Sequence, residues 1–179
     1  MNPLEIINKY YDVSSPLYEI LVVHDTAVAE KALEIARMHP EMNLDLNFVY
    51  EAAMLHDIGI FKTDAPEIFC FGSYPYICHG YLGSQLMQEE NFPQHALVCE
   101  RHTGTGIRKE EIIRLSFPIP QRDMIPISLE ECLVCFADKF FSKKHPDKEK
   151  PIDKIIKGLS KYGEESVTRF QEWSQLFLG

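Results

Sequence analysis

Apolar residues recur along most of this chain at helical spacing, and strict alternation is rare. In HDTAVAEKALEIARM, Val28, Ala32, Ile35 and Ala36 fall on one face with charged residues between them, the repeat of an amphipathic helix. LDLNFVYEAAMLHD places Leu46, Val49, Ala53 and Leu55 in the same way, with Asp45 where an N-cap belongs and Gly59 as the stop. YICHGYLGSQLMQEEN reads as a helix from about His79 to about Asn91, and PQHALVCERHTG as one from Pro93 to Gly104. RKEEIIRLSF is a short helix and FPIPQRDMIP a proline-rich loop. SLEECLVCFADKFFSKKH is a strong helix: Ser128 and Glu131 form a capping-box pattern, and Lys143, Lys144 and His145 suit its C-terminal dipole. Residues 152–178 form one or two further amphipathic helices. No Asn-Gly or Asp-Gly hairpin turn appears, and no internal repeat. The pattern predicts an all-α fold in a single domain with a C-terminal helical extension at 152–179.

Composition narrows the function classes. With 179 residues, 45% of them hydrophobic, the chain can bury an ordinary core. No window of about 18 apolar residues occurs, so no membrane span is expected. The N-terminal MNPLEIINKYYDVSS lacks the pattern of a signal peptide. Five cysteines without framework spacing suggest reduced thiols and a cytoplasmic setting. The net charge is −9 with no basic stripe, which argues against a duplex nucleic-acid partner. An acidic chain that handles an anionic substrate needs local positive charge, and a bound divalent metal supplies it.

The histidines carry the candidate chemistry. Of seven, His39 and His145 each precede a proline and His95 sits in a first helical turn, placements that suit surface or capping residues. His24, His56, His79 and His102 lie near expected helix ends, where several helices can converge. His56 is followed by Asp57 at the edge of an apolar run. Burying such a carboxylate is costly unless a cation pairs with it. Asp138 poses the same problem inside CLVCFADKFF, which is apolar on nearly every face. Four imidazoles and two carboxylates suit iron, manganese, zinc or cobalt, with magnesium also admitted. They can hold two ions about 3.5–4 Å apart with one carboxylate bridging.

His24, then His56-Asp57 in HDIG, then Asp138 resembles the HD superfamily of metal-dependent phosphohydrolases over roughly residues 20–145. The further pair, His79 in CHGYLGSQLM and His102 in ERHTGTGI, resembles its dinuclear members, which include the bacterial diadenosine tetraphosphate hydrolases and the HD-GYP phosphodiesterases. RHTGTGIRKEEI and IPISLEECLVCFADKFFS most resemble a group of small HDIG proteins without an assigned substrate. The resemblance implies an HD-domain helical bundle and a first metal on His24, His56, Asp57 and Asp138. It implies a second metal on Asp57, His79 and His102, with Asp57 bridging, and a metal-activated hydroxide attacking phosphorus. The GYP motif is missing, so cleavage of a cyclic dinucleotide is not expected. The expected partner is a small phosphorylated metabolite or nucleotide, cleaved at a phosphate mono- or diester; oligomeric state stays open. The alternatives are a di-iron oxygenase of the same superfamily and a non-catalytic ligand-binding sensor.

Around these ligands stand secondary candidates. Lys62, just past the His-Asp pair, and Arg101, beside His102, are candidate phosphate contacts with Asp57 as the catalytic carboxylate. Arg108 and Lys109 follow the TGTG turn, and Lys139 follows Asp138. Adjacent helical residues diverge by about 100°, which tells against Arg101 and Lys139. Thr103 to Gly106 suits helix termination as well as a phosphate cradle. Cys132 and Cys135 lie mid-helix and read as packing residues. Phe69, Phe71, Tyr74 and Tyr76 occupy a loop long enough to act as a lid, and packing is their default role.

Overall fold

A computed structural model of the protein describes residues 1–146 and 148–179. Among them are nine α-helices: α1 (Pro3–Tyr10), α2 (Pro16–Met38), α3 (Leu46–Leu55), α4 (His79–Glu89), α5 (Pro93–Arg101), α6 (Lys109–Arg114), α7 (Leu129–Asp138), α8 (Ile152–Leu159) and α9 (Glu164–Leu178). The fold is the all-α helical bundle that the periodicity predicts.

Local chemistry sets most of the boundaries. Asp45 caps α3 by accepting hydrogen bonds from the Asn47 and Phe48 amides, both at 3.0 Å. Ser15 caps α2 and Pro16 opens it. The helix therefore starts well before His24, which lies mid-helix and not at an end as expected. Ser128 accepts from the Glu131 amide at 3.1 Å, but the Glu131 carboxylate turns to the Ile127 amide and to Arg101, so only half of the expected capping box forms.

The helix expected to reach His145 ends at Asp138. Its last turn tightens into i→i+3 bonds, Lys139 to Phe136 and Phe140 to Ala137. The chain then folds back so that Lys143 faces the interior. The lid-like loop holds a small three-stranded sheet, β1 (Thr63–Ala65), β2 (Cys70–Phe71) and β3 (Tyr74–Pro75), in the order β2-β1-β3. Strands of two or three residues are too short to leave a readable alternation.

Helices α2, α3, α5 and α7 form the centre of the bundle. Leu21, Val28, Ala32, Val49, Ala53, Leu55, Leu133 and Phe136 fill it. Helix α9 covers one end, where Phe170 and Phe177 lie 5.1 and 5.4 Å from the Phe136 ring. The TGTG turn holds α9 down: Thr105 bonds Ser166 at 2.9 Å, and Arg169 donates to the Thr105 carbonyl at 2.8 Å. Gly104 and Gly106 supply the left-handed φ of +62° and +89° that the turn requires. No helix among the described residues is long and apolar enough to cross a membrane.

Helix α3 ends at Leu55, before Gly59, so Gly59 is not its stop and has another part. A Cβ there would sit 2.3 Å from the His79 carbonyl oxygen and 2.4 Å from the Gly83 nitrogen. Both atoms are backbone and cannot swing aside, so α4 reaches the His-Asp segment only because residue 59 lacks a side chain. Gly59→Ala is expected to cost about 3 kcal/mol of stability, the upper end for overpacking a core. A urea titration followed by circular dichroism checks it.

Candidate metal centre

Four helices and the end of a fifth deliver the six expected ligands to one place. His24 comes from the middle of α2, and His56 and Asp57 follow the end of α3. His79 opens α4, His102 follows α5, and Asp138 ends α7. His24, His56 and Asp57 have no exposed surface. His24 Nε2 lies 3.3 Å from Asp57 Oδ2 and 3.1 Å from Asp138 Oδ1. His56 Nε2 lies 3.1 Å from Asp57 Oδ2 and 3.5 Å from Asp138 Oδ1. On the other side, His79 and His102 Nε2 each lie 3.4 Å from Asp57 Oδ1. The two oxygens of Asp57 thus face two separate ligand groups.

Backbone geometry fixes the imidazoles. His56, His79 and His102 each donate Nδ1–H to the carbonyl three residues earlier, at 2.6 Å to Ala53, 2.7 Å to Tyr76 and 2.8 Å to Cys99. That bond sets the tautomer and aims the other ring nitrogen at the ligand group. For His79 and His102 the two Nε2 atoms then stand 3.0 Å apart. With both Nδ1 protonated, two lone pairs face each other, an arrangement that a shared cation relieves.

The donor set fits divalent metal on a second ground. His56 Nε2 and both Asp57 oxygens are buried without a hydrogen-bond partner of suitable geometry. Native proteins seldom leave such atoms unsatisfied, and a missing ion is a standard reason. The Lys143 ammonium stands against Asp57 Oδ2 as an ion pair, and Lys139 meets Asp138 Oδ2 at 2.6 Å. Burial works against the charge on Asp57, but Lys143 and His56 hold its carboxyl well below the usual range. Burial likewise opposes ionisation of Asp138, and Lys139 with His24 and His56 overrides it. Burial would also lower His56, yet Asp57 and Asp25 hold it well above the usual imidazole range. Burial, then His102, pushes His79 down to about 3. His102 is lowered chiefly by burial.

The secondary candidates fare differently. Arg101 is committed to Glu131 at 2.9 and 3.1 Å and lines neither large cavity beside the ligands, and Lys62 lies 5.9 Å over the Phe61 ring. Neither is brought to the cluster, which corrects their reading as phosphate contacts. Arg108 pairs with Glu165 at 2.6 Å, and the Lys109 amide donates to Asp123 at 2.9 Å. Lys139, expected to point away, bends back because α7 ends beside it.

His95 is buried. It bonds Glu51 at 3.1 Å and sits edge-on to Phe48 and Phe92, which replaces its surface reading. His39 pairs with Glu41 at 2.9 Å and His145 is exposed. Burial raises the Cys132 and Cys135 thiols to about 11 and about 12, as inert packing residues. Of the aromatic loop, only Tyr76 reaches the site, stacked 4.6 Å from the His79 ring; Phe69, Phe71 and Tyr74 are exposed.

Two residues were missed in the sequence. Lys143 was assigned to a helix terminus. Asp25 is fully buried with neither oxygen satisfied, and its Oδ1 stands 3.8 Å from His56 Nδ1. Burial raises its carboxyl well above the usual range. Its signal was legible: the chain carries two His-Asp dipeptides, at 24–25 and 56–57, and both are enclosed.

Fold and site together define a helical-bundle protein built around clustered imidazoles and carboxylates. The sequence profile of the HD domain family matches residues 22–142. An uncharacterized protein of Methanocaldococcus jannaschii is 36% identical over 147 residues, which cover 80% of this chain and 79% of that one. The tRNA (cytidine(56)-2'-O)-methyltransferase of Thermoplasma volcanium is 28% identical over 150 residues, 83% of this chain and 39% of that enzyme. Its counterpart from Picrophilus torridus is 30% identical over 125 residues, 69% of this chain and 32% of the enzyme. The chain therefore spans only about a third to two fifths of those methyltransferases. Among solved structures, the HD domain of the Listeria monocytogenes (L. monocytogenes) phosphodiesterase PgpH superposes with a TM-score of 0.51 at 14% identity, covering 95% of this chain and 93% of that one. This chain belongs to the HD domain family.

Proposed function

We propose that the protein is a metal-dependent phosphohydrolase acting on a phosphate ester of a nucleotide or similar small metabolite. His24, His56, Asp57 and Asp138 would hold one divalent ion, and Asp57, His79 and His102 a second. Such a pair supplies hydroxide at neutral pH and clamps phosphoryl oxygens. The observation that carries this reading is Asp57, whose two buried oxygens face two ligand groups, with the Lys143 ammonium beside Oδ2 as their one further partner among the described residues.

The chain's own side chains do the rest. The three carbonyl-anchored imidazoles keep Nε2 aimed inward, and His79 and His102, both lowered by burial, present it unprotonated. Lys139 and Lys143, drawn by Asp138 and Asp57, stand where a substrate phosphate would approach and can take charge from it. Tyr76 walls the site beside His79. Residues 152–179 belong to the same unit in this reading, since α9 packs on Phe136 and the TGTG turn.

A phosphate-release screen over nucleotides, dinucleoside polyphosphates and short oligoribonucleotides tests the proposal; the last are included because two relatives are tRNA methyltransferases. Chelation is expected to abolish release, and more than one divalent metal to restore it. Iron-specific oxygen consumption without phosphate release would overturn it in favour of an oxygenase. Substrate binding without turnover would favour a sensor.

A further inference from the structure

Two cavities of about 550 and 470 Å³ flank the ligand cluster and share Tyr76, Asp138, Lys139, Lys143 and Lys161. The larger is partly apolar, with Tyr162 and Phe117 in its wall. The smaller is bordered by Lys144 and Lys150 as well. A third hollow of about 300 Å³ shares Lys139, Lys150 and Lys161 and adds Lys154. A protein of net charge −9 thus gathers six of its lysines on the walls of these three cavities, which share Lys139 and Lys161.

Their counter-charges are unevenly supplied. Lys139 and Lys143 are paired with Asp138 and Asp57, and Lys144 reaches Glu67 at 3.9 Å. Among the described residues, neither Lys150 nor Lys161 has a carboxylate within 4.0 Å. Lys150 is held below the usual lysine range by burial first, then by Lys139, Lys143 and Lys161, with Asp138 opposing. Crowded cations lining a concave wall concentrate anions from solution. Lys150 and Lys161 also lie beyond residues 22–142, the span that matches the family profile.

We propose that Lys150 and Lys161, brought to the cavity by the chain that follows the family core, form a second anion subsite that takes a phosphate group of the substrate other than the one hydrolysed. This rests on the phosphohydrolase reading and narrows its substrate class. The substrate carries at least two anionic groups, one over Asp57 and one in the lysine-lined cavity, and simple monophosphates bind poorly. The chain beyond residue 142 thereby selects substrates while the family core supplies the chemistry.

Calorimetric titration of the full chain with inorganic tripolyphosphate and with orthophosphate tests it, on metal-loaded protein and on protein stripped of metal and dialysed free of chelator. Tripolyphosphate is expected to bind at least about tenfold more tightly than orthophosphate in both states. The double variant Lys150→Gln/Lys161→Gln is expected to lose that preference while keeping its melting temperature and metal content. Lys161→Gln alone, on an exposed turn, gives the same direction if the double variant folds poorly. Lys9→Gln/Arg37→Gln, which removes two exposed charges that line none of these cavities, is expected to change nothing. Equal affinity for the two anions in the wild type, or an undiminished preference in the subsite variants, would overturn the proposal. A preference that persists in a protein that never holds metal would leave the subsite standing and defeat the phosphohydrolase reading instead.

Discussion

Asp57→Ala is expected to purify without bound divalent metal and, if the proposed activity holds, to hydrolyse phosphoesters at least about 10³-fold more slowly than the wild type, a loss of about 4 kcal/mol in transition-state stabilisation. The reason is positional. Asp57 is the one side chain with an oxygen in each ligand group, so its removal empties both. His79→Ala gives the contrast. It removes a ligand of the second group only, and the first keeps all four of its own, so metal content is expected to fall from two ions per chain to one. Inductively coupled plasma mass spectrometry on the three proteins reads this directly. Folding must be checked alongside, because without metal Asp57 also neutralises Lys143 and His56 in the interior. Uncompensated buried charges of that kind cost about 3–5 kcal/mol. Circular dichroism of Asp57→Asn, which keeps the shape but not the charge, separates lost metal from lost fold.

The second large effect is a pH dependence that differs between the two ligand groups. A metal ligand must present an unprotonated Nε2. In the metal-free chain His56 is held well above its ordinary 6.5 by Asp57 and Asp25, against the opposing pull of burial. It is therefore protonated at pH 7, and binding at the first group must expel that proton. Affinity there is expected to rise about tenfold per pH unit from neutral pH until His56 titrates. His79, held at about 3, and His102, also lowered, are already neutral at pH 7, so binding at the second group releases none from them. Calorimetric metal titration in two buffers of different ionisation enthalpy is expected to show about one proton released with one ion and close to none with the other. Equal proton release for both ions would contradict the assignment of His56 as the charged ligand.

Much of the bundle and the whole proposed ligand set could be read from the sequence. The helical pattern gave the starts of α3, α4 and α5, because each has a clear opening signal, and set their ends a few residues too late. Asp45, Pro93 and Ser128 are chemical punctuation that acts within a few residues. The order His24, His56-Asp57, His79, His102, Asp138 singled out residues that the fold then brings within hydrogen-bonding distance of one another.

What escaped depends on contacts distant in the chain. Lys143 looks like a dipole partner at a helix end, and only the turn after Asp138 sends it to Asp57. Arg101 and Lys139 were judged by helical geometry. The rule held for Arg101, which points to Glu131, and failed for Lys139, which lies just past the last full turn. His95 resembles a first-turn surface residue until Phe48 and Phe92 close around it. The β1–β3 sheet rests on backbone pairing between residues with no periodic pattern. Asp25 was overlooked because one His-Asp dipeptide drew attention from the other.

The most direct test of the account is anomalous diffraction from crystals grown with manganese, collected near the metal's absorption edge. The account predicts two peaks about 3.5–4 Å apart, one on each side of the Asp57 carboxylate, with His24, His56 and Asp138 around one and His79 and His102 around the other. A single peak that leaves His79 and His102 facing each other unligated, or no peak at this cluster, would contradict it.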